Sequence, residues 1–298
     1  MDIEYEVDGL VLRAKTWGDK KGYPVLGLHG WLDNACTFDR IAPLLSPDIY
    51  FIAIDLAGHG LSDHRDANSS YYLWDYAADI LKVLDALGYK KISVIAHSMG
   101  TGIACILASA IPNVVEKMVF IDGLGPPFVA QKEEEVVVNF YRAIRQLRMA
   151  KKTKFFGFSS PETAQFSSVA AAIEERVDNP IGKISNNAVV NLLNRALIKL
   201  PNGYRWSHDP RIVLPERYRI TESQAQAFIQ AITCQTQIIL GKQGLFSKGM
   251  FKARLSKFQQ SKIHWMEGGH HLHLEEPHDK IALLINEFLQ KEINNENY

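Results

Sequence analysis

The stretch that decides the fold is ISVIAHSMGTG, residues 92–102. It opens with a β-branched apolar run of the kind that forms buried strands, and small residues follow. From Met99 to about Ile111 the chain is apolar and rich in alanine, as in a buried helix. A strand, a tight turn with Ser98 at its apex and a helix are the context in which G-x-S-x-G indicates a nucleophile elbow. The start of the helix would offer a backbone N–H to a developing oxyanion.

The match to this pattern is incomplete at one position. Ala96 stands where a glycine is usual, and it adds a methyl group where strand and helix approach closely. Gly100 and Gly102 remain on the helix side. For these residues taken alone, an ordinary buried turn that contains a serine is therefore an open alternative to the elbow.

Composition excludes several classes of function. Lys and Arg total 33 and so do Asp and Glu, so net charge indicates neither a nucleic-acid partner nor an anionic membrane. The three cysteines show no C-x-x-C pattern and are typical of reduced thiols in a cytoplasmic protein. The N-terminus lacks the apolar core of a signal peptide, and we predict no membrane span.

The pattern of apolar residues divides the chain into a core and an insertion. In residues 1–123 short apolar runs alternate with helical spacing, which predicts a parallel sheet covered on both faces. From 124 to 232 strand-like runs vanish, and helices are predicted near 132–150, 161–177, 188–200 and 222–232. The α/β pattern returns in residues 233–298, with a basic helix predicted at 246–258. We therefore predict an α/β core, 1–123 and 233–298, and a helical cap, 124–232.

Polar residues follow several of the predicted core strands. His29, Asp55, Ser98 and Asp122 each stand directly after an apolar run. In parallel sheets ligands bind outside the carboxyl ends of the strands. These residues therefore predict a site at one edge of the sheet, although Asp55 and the nearby His59 fit better as structural residues of the loop beside the elbow.

Four motifs, each at a predicted strand end, carry a resemblance: HGW (29–31), DLAGHGLS (55–62), AHSMG (96–100), and GH (269–270) with EEP (275–277). Together they resemble the α/β-hydrolase superfamily. The resemblance implies the α/β-hydrolase fold, a mostly parallel eight-stranded sheet with helices on both faces and an inserted helical cap. Within the superfamily, GWLDNA (30–35) and YRWSHDPR (204–211) look like the serine hydrolase-like proteins.

The resemblance also implies roles for individual residues. Ser98 would be the nucleophile and His270 the general base that activates it, because a hydroxyl is a poor nucleophile at neutral pH. The backbone N–H groups of Trp31 and Met99 would form the oxyanion hole. A serine at this position argues against dehalogenase and epoxide hydrolase chemistry, for which the superfamily uses an aspartate.

The acid of the triad is where the sequence departs from its relatives. Most relatives carry an aspartate after the strand that here ends at Leu240-Gly241, whereas this chain continues KQGLF, residues 242–246. Either the triad lacks its acid or the acid comes from another strand end. Asp122 is the best candidate, since some branches of the superfamily place the acid there; the alternative is that Asp122 only caps the turn before Gly123.

His271 and His273 stand beside His270 and raise the alternative of a metal site. No cysteine or carboxylate pattern supplies further zinc ligands, so we expect no metal and no cofactor. Gly269 next to His270 matches the superfamily and favours His270 as the base. We expect His273 to support the site structurally and His97 to pack beneath the turn.

The sequence therefore predicts an esterase-like serine hydrolase that cleaves an ester, thioester or similar small acyl substrate through an acyl-enzyme on Ser98. Two alternatives stay open: carbon–carbon bond hydrolysis with the same triad, and a catalytically weak ligand-binding pseudo-enzyme. The missing acid after Gly241 and the alanine at position 96 favour the second alternative. The expected partner is a small-molecule substrate, and the sequence does not fix the oligomeric state.

Overall fold

The computed structural model describes residues 1–127, 133–149, 165–178, 183–214, 218–246 and 252–293. Within these residues ten strands occur: β1 Asp2–Val7, β2 Leu10–Trp17, β3 Tyr23–Leu28, β4 Ile49–Ile54, β5 Ile92–His97, β6 Val115–Ile121, β7 Leu197–Leu200, β8 Gly203–Trp206, β9 Gln235–Gly241 and β10 Ser261–Met266. Eight of them form one sheet in the order β1-β2-β4-β3-β5-β6-β9-β10. From β4 to β10 all neighbours in this order are parallel, while β2 runs antiparallel to β1 and β4.

The same described residues contain eight α-helices: α1 Leu73–Leu87, α2 Met99–Ala110, α3 Glu133–Met149, α4 Val169–Val177, α5 Asn186–Ala196, α6 Glu222–Gln230, α7 Lys252–Leu255 and α8 His278–Ile293. Short 3₁₀ helices span Ala35–Phe38, Ala42–Leu44 and Pro210–Val213. None of the described helices combines the length and the apolar character needed to cross a membrane.

The central strands are buried on both faces, which explains their continuous apolar sequences. Every residue of β4 and of β5 is buried. Alternate side chains of a strand point to opposite faces, and Leu26 packs with α1 and α2 while its neighbour Val25 packs with α8. The sheet is therefore covered by helices on both faces, and the predicted eight-stranded, mostly parallel sheet is confirmed.

The predicted cap, residues 124–232, lies between β6 and β9 in the chain, and its described residues are called the inserted segment below. The prediction that strand-like runs vanish here is wrong, because β7 and β8 pair as an antiparallel hairpin. The helix predicted at 188–200 ends at Ala196 instead. Pro201 and Asn202 form the turn between the two strands. Gly203, the first residue of β8, has a φ of 139° that favours glycine, and Tyr204 also exchanges backbone hydrogen bonds with Phe166. Helical spacing of the apolar residues did not reveal this local pairing.

Two other predicted helices are shorter in the structure. The helix expected from Pro161 begins at Val169, where the Ser168 side chain accepts a hydrogen bond from the N–H of Ala171. Residues 161–164 lie outside the described residues, and 165–168 are not helical. The basic helix expected at 246–258 is described only as α7, with residues 247–251 outside the described part of the chain.

Candidate active site

Ser98 stands at a strained turn between β5 and α2. Its φ of 48° and ψ of −114° are unusual for a residue with a side chain. The turn is held from both sides: the Ser98 N–H donates to the carbonyl of Ile121 at 3.1 Å, and the Thr101 N–H and hydroxyl donate to the Ser98 carbonyl at 3.0 and 2.7 Å. The predicted strand–turn–helix context of the serine is therefore present.

The close approach of strand and helix explains the small residues around the serine. A Cβ atom on Gly100 would lie 2.7 Å from the carbonyl carbon of Leu28, so only glycine fits there. Ala96 is fully buried between β3 and β6, opposite Leu28 and Phe120. The extra methyl group at position 96 is thus accommodated within the sheet.

Ser98, His270 and Asp122 form one chain of hydrogen bonds. His270 Nδ1 lies 2.6 Å from Asp122 Oδ2, and His270 Nε2 lies 2.9 Å from Ser98 Oγ. A carboxylate oxygen accepts, so the proton of this imidazole is on Nδ1. The lone pair on Nε2 then faces the serine hydroxyl, which is the arrangement that a general base for Ser98 requires.

Asp122 is fully buried and its carboxylate is held by backbone groups from the end of β9. The Gly241 N–H donates to Oδ1 at 3.0 Å, and the Leu245 N–H donates to Oδ2 at 3.1 Å. The Asp122 N–H donates to the carbonyl of Ile239 at 2.8 Å. The carboxylate therefore has a fixed orientation toward His270 as well as compensation for its burial.

The protonation of His270 suits a general base. Burial lowers the pKa of His270 below its ordinary value of 6.5, although the hydrogen bond to Asp122 raises it and thereby opposes part of that effect. At neutral pH the imidazole is therefore uncharged and able to take a proton. Its ring is almost completely shielded from solvent.

The two predicted oxyanion donors belong to segments that meet at Ser98. Met99 is the first residue of α2 and directly follows the serine. Trp31 follows Gly30, on which a Cβ atom would lie 3.2 Å from the Cβ of Ser98. The indole Nε1 of Trp31 donates to the carbonyl of Ile212 in the inserted segment at 3.2 Å, so the loop that carries Trp31 is anchored to that segment.

His29, Asp55 and His59 are buried in the loops beside the elbow. His29 Nε2 accepts from the N–H of Leu56 at 3.0 Å. Asp55 accepts from the N–H groups of Ala35 and Leu61 at 2.7 and 2.9 Å, and from Arg195 Nε of α5 at 2.8 Å. These bonds hold loops, which is the structural role expected for Asp55.

The other predicted histidines lie under the site. His97 Nε2 donates to the backbone carbonyl of His270 at 2.9 Å, and His273 Nε2 lies 2.8 Å from the hydroxyl of Thr37. Sequence reasoning missed Asp33 and Arg176, which contact His271. Asp33 lay inside the quoted GWLDNA motif, but no sequence signal connected either residue to this histidine.

A cavity of 410 Å³ opens beside the proposed oxyanion hole. Trp31 and Met99 are among its lining residues, and most of the wall is apolar, including Leu73, Ile106 and Phe228. Its volume lies in the range of small-molecule sites. The walls of the cavity come from Trp31, residues 67–72, α1, α2 and the inserted segment.

Comparison with known proteins agrees with the fold. Residues 23–277 match the family described as alpha/beta hydrolase fold. The chain belongs to the α/β-hydrolase family. It is 32% identical over 287 residues to a serine hydrolase-like protein of Danio rerio, covering 94% of this chain and 85% of that protein. A serine hydrolase-like protein of Dictyostelium discoideum is 33% identical over 283 residues, covering 90% and 75%.

A solved structure shows the same similarity in three dimensions. The crystal structure of a hypothetical protein from Pseudomonas aeruginosa PAO1 matches with a TM-score of 0.86 at 32% identity, covering 96% of each chain. Sequence similarity thus places the chain among the serine hydrolase-like α/β hydrolases, and the solved structure shares its fold.

Proposed function

We propose that the protein is an esterase-like serine hydrolase that cleaves an ester, thioester or similar small acyl substrate. The observation that carries this proposal is the hydrogen-bond chain from Ser98 through His270 to Asp122, with distances of 2.9 and 2.6 Å. These residue types at these distances are what activation of a serine hydroxyl requires.

In the proposed reaction Ser98 Oγ attacks the acyl carbon while its proton passes to His270 Nε2. The carbonyl oxygen gains the negative charge, and the N–H groups of Trp31 and Met99 stabilise it. The tetrahedral intermediate expels the alcohol or thiol, which takes the proton from His270 and leaves an acyl group on Ser98. Water then attacks this ester by the same route, and the acid product leaves.

The inserted segment acts in this proposal as a cap over the substrate. Ile212 and Phe228 of that segment line the 410 Å³ cavity together with Leu73 and Ile106 of the core. A mostly apolar wall favours an apolar acyl group, because burial of apolar surface drives binding. The cavity size supports a small substrate with one such group.

The test is labelling with a fluorophosphonate, followed by mass mapping of the modified peptide. We expect rapid modification of Ser98 in the wild-type protein, and at least about a hundredfold slower modification in His270→Ala, because removal of a general base has effects of that order. A panel of p-nitrophenyl esters and acyl thioesters would then define the acyl group. A folded protein that is not labelled would contradict the proposal and favour the pseudo-enzyme.

A further inference from the structure

Four buried polar side chains meet beside the proposed triad without belonging to it. The carboxylate of Asp33 is their centre: Oδ2 lies 3.4 Å from His97 Nδ1 and 3.3 Å from His271 Nε2. Asp33 Oδ1 lies 3.4 Å from Arg176 Nη2. All four residues are nine-tenths buried or more. We call Asp33, His97, His271 and Arg176 the Asp33 cluster.

The members of the Asp33 cluster come from four different parts of the chain. Asp33 lies two residues after Trp31, and the turn between them is closed by the Asp33 N–H donating to Gly30. His97 directly precedes Ser98, and His271 directly follows His270. Arg176 comes from α4 of the inserted segment. One carboxylate thus connects the inserted segment to three of the four segments that carry proposed catalytic groups, the exception being the one after β6 that carries Asp122.

The cluster reaches the base through the backbone of His270. His97 Nε2 donates to the His270 carbonyl at 2.9 Å, and the two rings are 4.7 Å apart. His271 is covalently joined to His270. The contacts that hold His97 and His271 in place therefore also hold the His270 imidazole in its position next to Ser98.

Charge explains why Arg176 belongs in this place. Burial raises the pKa of Asp33, but the contacts with His271, His97 and Arg176 outweigh burial and hold that pKa well below its ordinary value. Asp33 is therefore ionised, and a buried carboxylate without a cationic partner is strongly unfavourable. The guanidinium of Arg176 supplies a permanent positive charge.

A metal ion is the rival explanation of the cluster. One ligand atom each from Asp33, His97 and His271 lies within 4.8 Å of the others, which is the spacing of a potential ion site. However, Arg176 Nη2 also lies 3.4 Å from His271 Nε2. A divalent cation among these ligands would face the guanidinium at short range in a buried place, which is electrostatically unfavourable. The guanidinium itself is the better counter-charge.

We propose that Arg176 is a positioning residue for His270. Arg176 lies in the inserted segment and acts on His270 through Asp33, His97 and His271. The proposal rests on the proposed hydrolase function. Seating of α4 against Asp33 orients the base, so the inserted segment contributes to turnover as well as to substrate binding. Catalysis is sensitive to displacements of this kind because the reacting atoms must be aligned.

The experiment compares Arg176→Gln and Arg176→Lys with the wild-type protein on a p-nitrophenyl ester and in fluorophosphonate labelling. We expect Arg176→Gln to lower kcat and the labelling rate at least about tenfold with KM changed less than about twofold, since a misplaced base affects the transition state rather than ground-state binding. Arg176→Lys keeps the charge, and we expect it to restore part of the rate. Wild-type rates in folded Arg176→Gln would overturn the proposal.

Arg195→Gln is the matched control. Arg195 is also buried, comes from the neighbouring helix α5 and pairs with a core carboxylate, Asp55, through an Nε–Oδ2 bond of 2.8 Å. Its described contacts do not include the Asp33 cluster. We expect Arg195→Gln to lower Tm about as much as Arg176→Gln while kcat stays within about twofold of wild type. Equal losses of kcat in both variants would overturn the proposal, since any disturbance of the inserted segment would then suffice.

Two further measurements separate this proposal from the proposed function. If Arg176→Gln does not fold, Arg176→Lys decides: labelling at least about threefold slower at an unchanged Tm supports the proposal, and a wild-type rate overturns it. If the wild-type protein is not labelled at all, the hydrolase function fails, and the imidazole NMR signals of His270 and His97 decide instead. The proposal then requires that these NMR signals shift in the Arg176 variants and stay at their wild-type positions in Arg195→Gln. Stoichiometric zinc in the purified protein, with Arg176→Gln binding it more tightly, would also overturn the proposal.

Discussion

The ends of β6 and β9 are neighbours in the sheet, and they contribute different groups to the same site. β6 ends at Ile121, and the next residue, Asp122, presents its carboxylate to His270. β9 ends at Gly241 and is followed by a turn without any carboxylate side chain. That turn instead donates the N–H groups of Gly241 and Leu245 to Asp122. One strand end supplies the charge, and the other supplies its orientation.

Gly244 shows why both strand ends cannot carry an acid. A Cβ atom on Gly244 would lie 2.6 Å from Asp122 Cγ, closer than real side-chain contacts. The side chain at position 122 and any side chain at position 244 therefore compete for the same volume. One volume beside His270 therefore holds one carboxylate, which either of the two strand ends could supply.

The largest expected effect is that of Asp122→Asn. If Asp122 is the acid, the amide favours the wrong tautomer of His270, and we expect kcat/KM to fall about 10⁴-fold, as in comparable triads. The measurement is hydrolysis of a p-nitrophenyl ester alongside the fluorophosphonate labelling rate.

Asp79→Asn is the control for this variant, because Asp79 is also a buried aspartate but pairs with Arg65 on the α1 side of the sheet. We expect it to affect Tm more than kcat. Near-normal turnover in Asp122→Asn would remove Asp122 from the triad and return it to the role of a turn cap.

Moving the acid between the strand ends is the next prediction. Asp122→Gly removes the carboxylate at a position whose φ of 37° glycine adopts without strain. Adding Gly244→Asp places a carboxylate in the volume that is then vacated. We expect the double variant to be at least about tenfold more active than Asp122→Gly alone, because part of the base orientation returns.

The single variant Gly244→Asp in the presence of Asp122 is the control for the exchange. Two carboxylates would then crowd one volume, so this variant should lose both activity and stability. If the double variant recovers no activity, a carboxylate at position 244 does not orient His270.

Gly244→Ala tests the competition for space with a smaller change. The added methyl group must displace the Asp122 carboxylate, and we expect kcat to fall by about 10 to 10²-fold through misplacement of the His270 ring. In the Asp122→Asn background the same substitution should add little, because both changes act through one side chain. A double-mutant cycle on kcat measures this; additive losses would contradict a shared mechanism.

The sequence predicted the core well because the core follows short-range rules. Continuous apolar runs marked β4 and β5, and polar residues after the runs marked the edge where Ser98 and Asp122 now lie within reach of His270. The missing acid after Gly241 also pointed to another strand end. The catalytic role of Asp122 stays a prediction that the variants above test.

The inserted segment was predicted less well because apolar periodicity encodes neither the pairing of short neighbouring strands nor contacts between residues far apart in the chain. The pairing of β7 with β8 depends on the turn at Pro201 and Asn202, and residues 197–200 also fitted helical spacing. Arg176 meets Asp33 across 143 residues of chain. A charged residue on an amphipathic helix is ordinarily solvated, so the pattern of residues around Arg176 did not indicate that this side chain is buried.

The smallest expected effect is a shift in the pH dependence of labelling. It tests whether the charge of Asp122, directly after β6, raises the pKa of His270. His270 must be uncharged to accept the proton of Ser98, so the labelling rate falls as the pH drops through its pKa. Burial lowers that pKa below 6.5, while Asp122 raises it through a hydrogen bond and its charge. Asp122→Asn removes both raising effects, so the acidic limb of the pH profile should move to lower pH. Labelling rates from about pH 4 to 8 measure the shift. If the acidic limb of the Asp122→Asn profile moves to higher pH instead, the Asp122 carboxylate does not stabilise the His270 imidazolium. The end of β6 would then not supply the charge to the site.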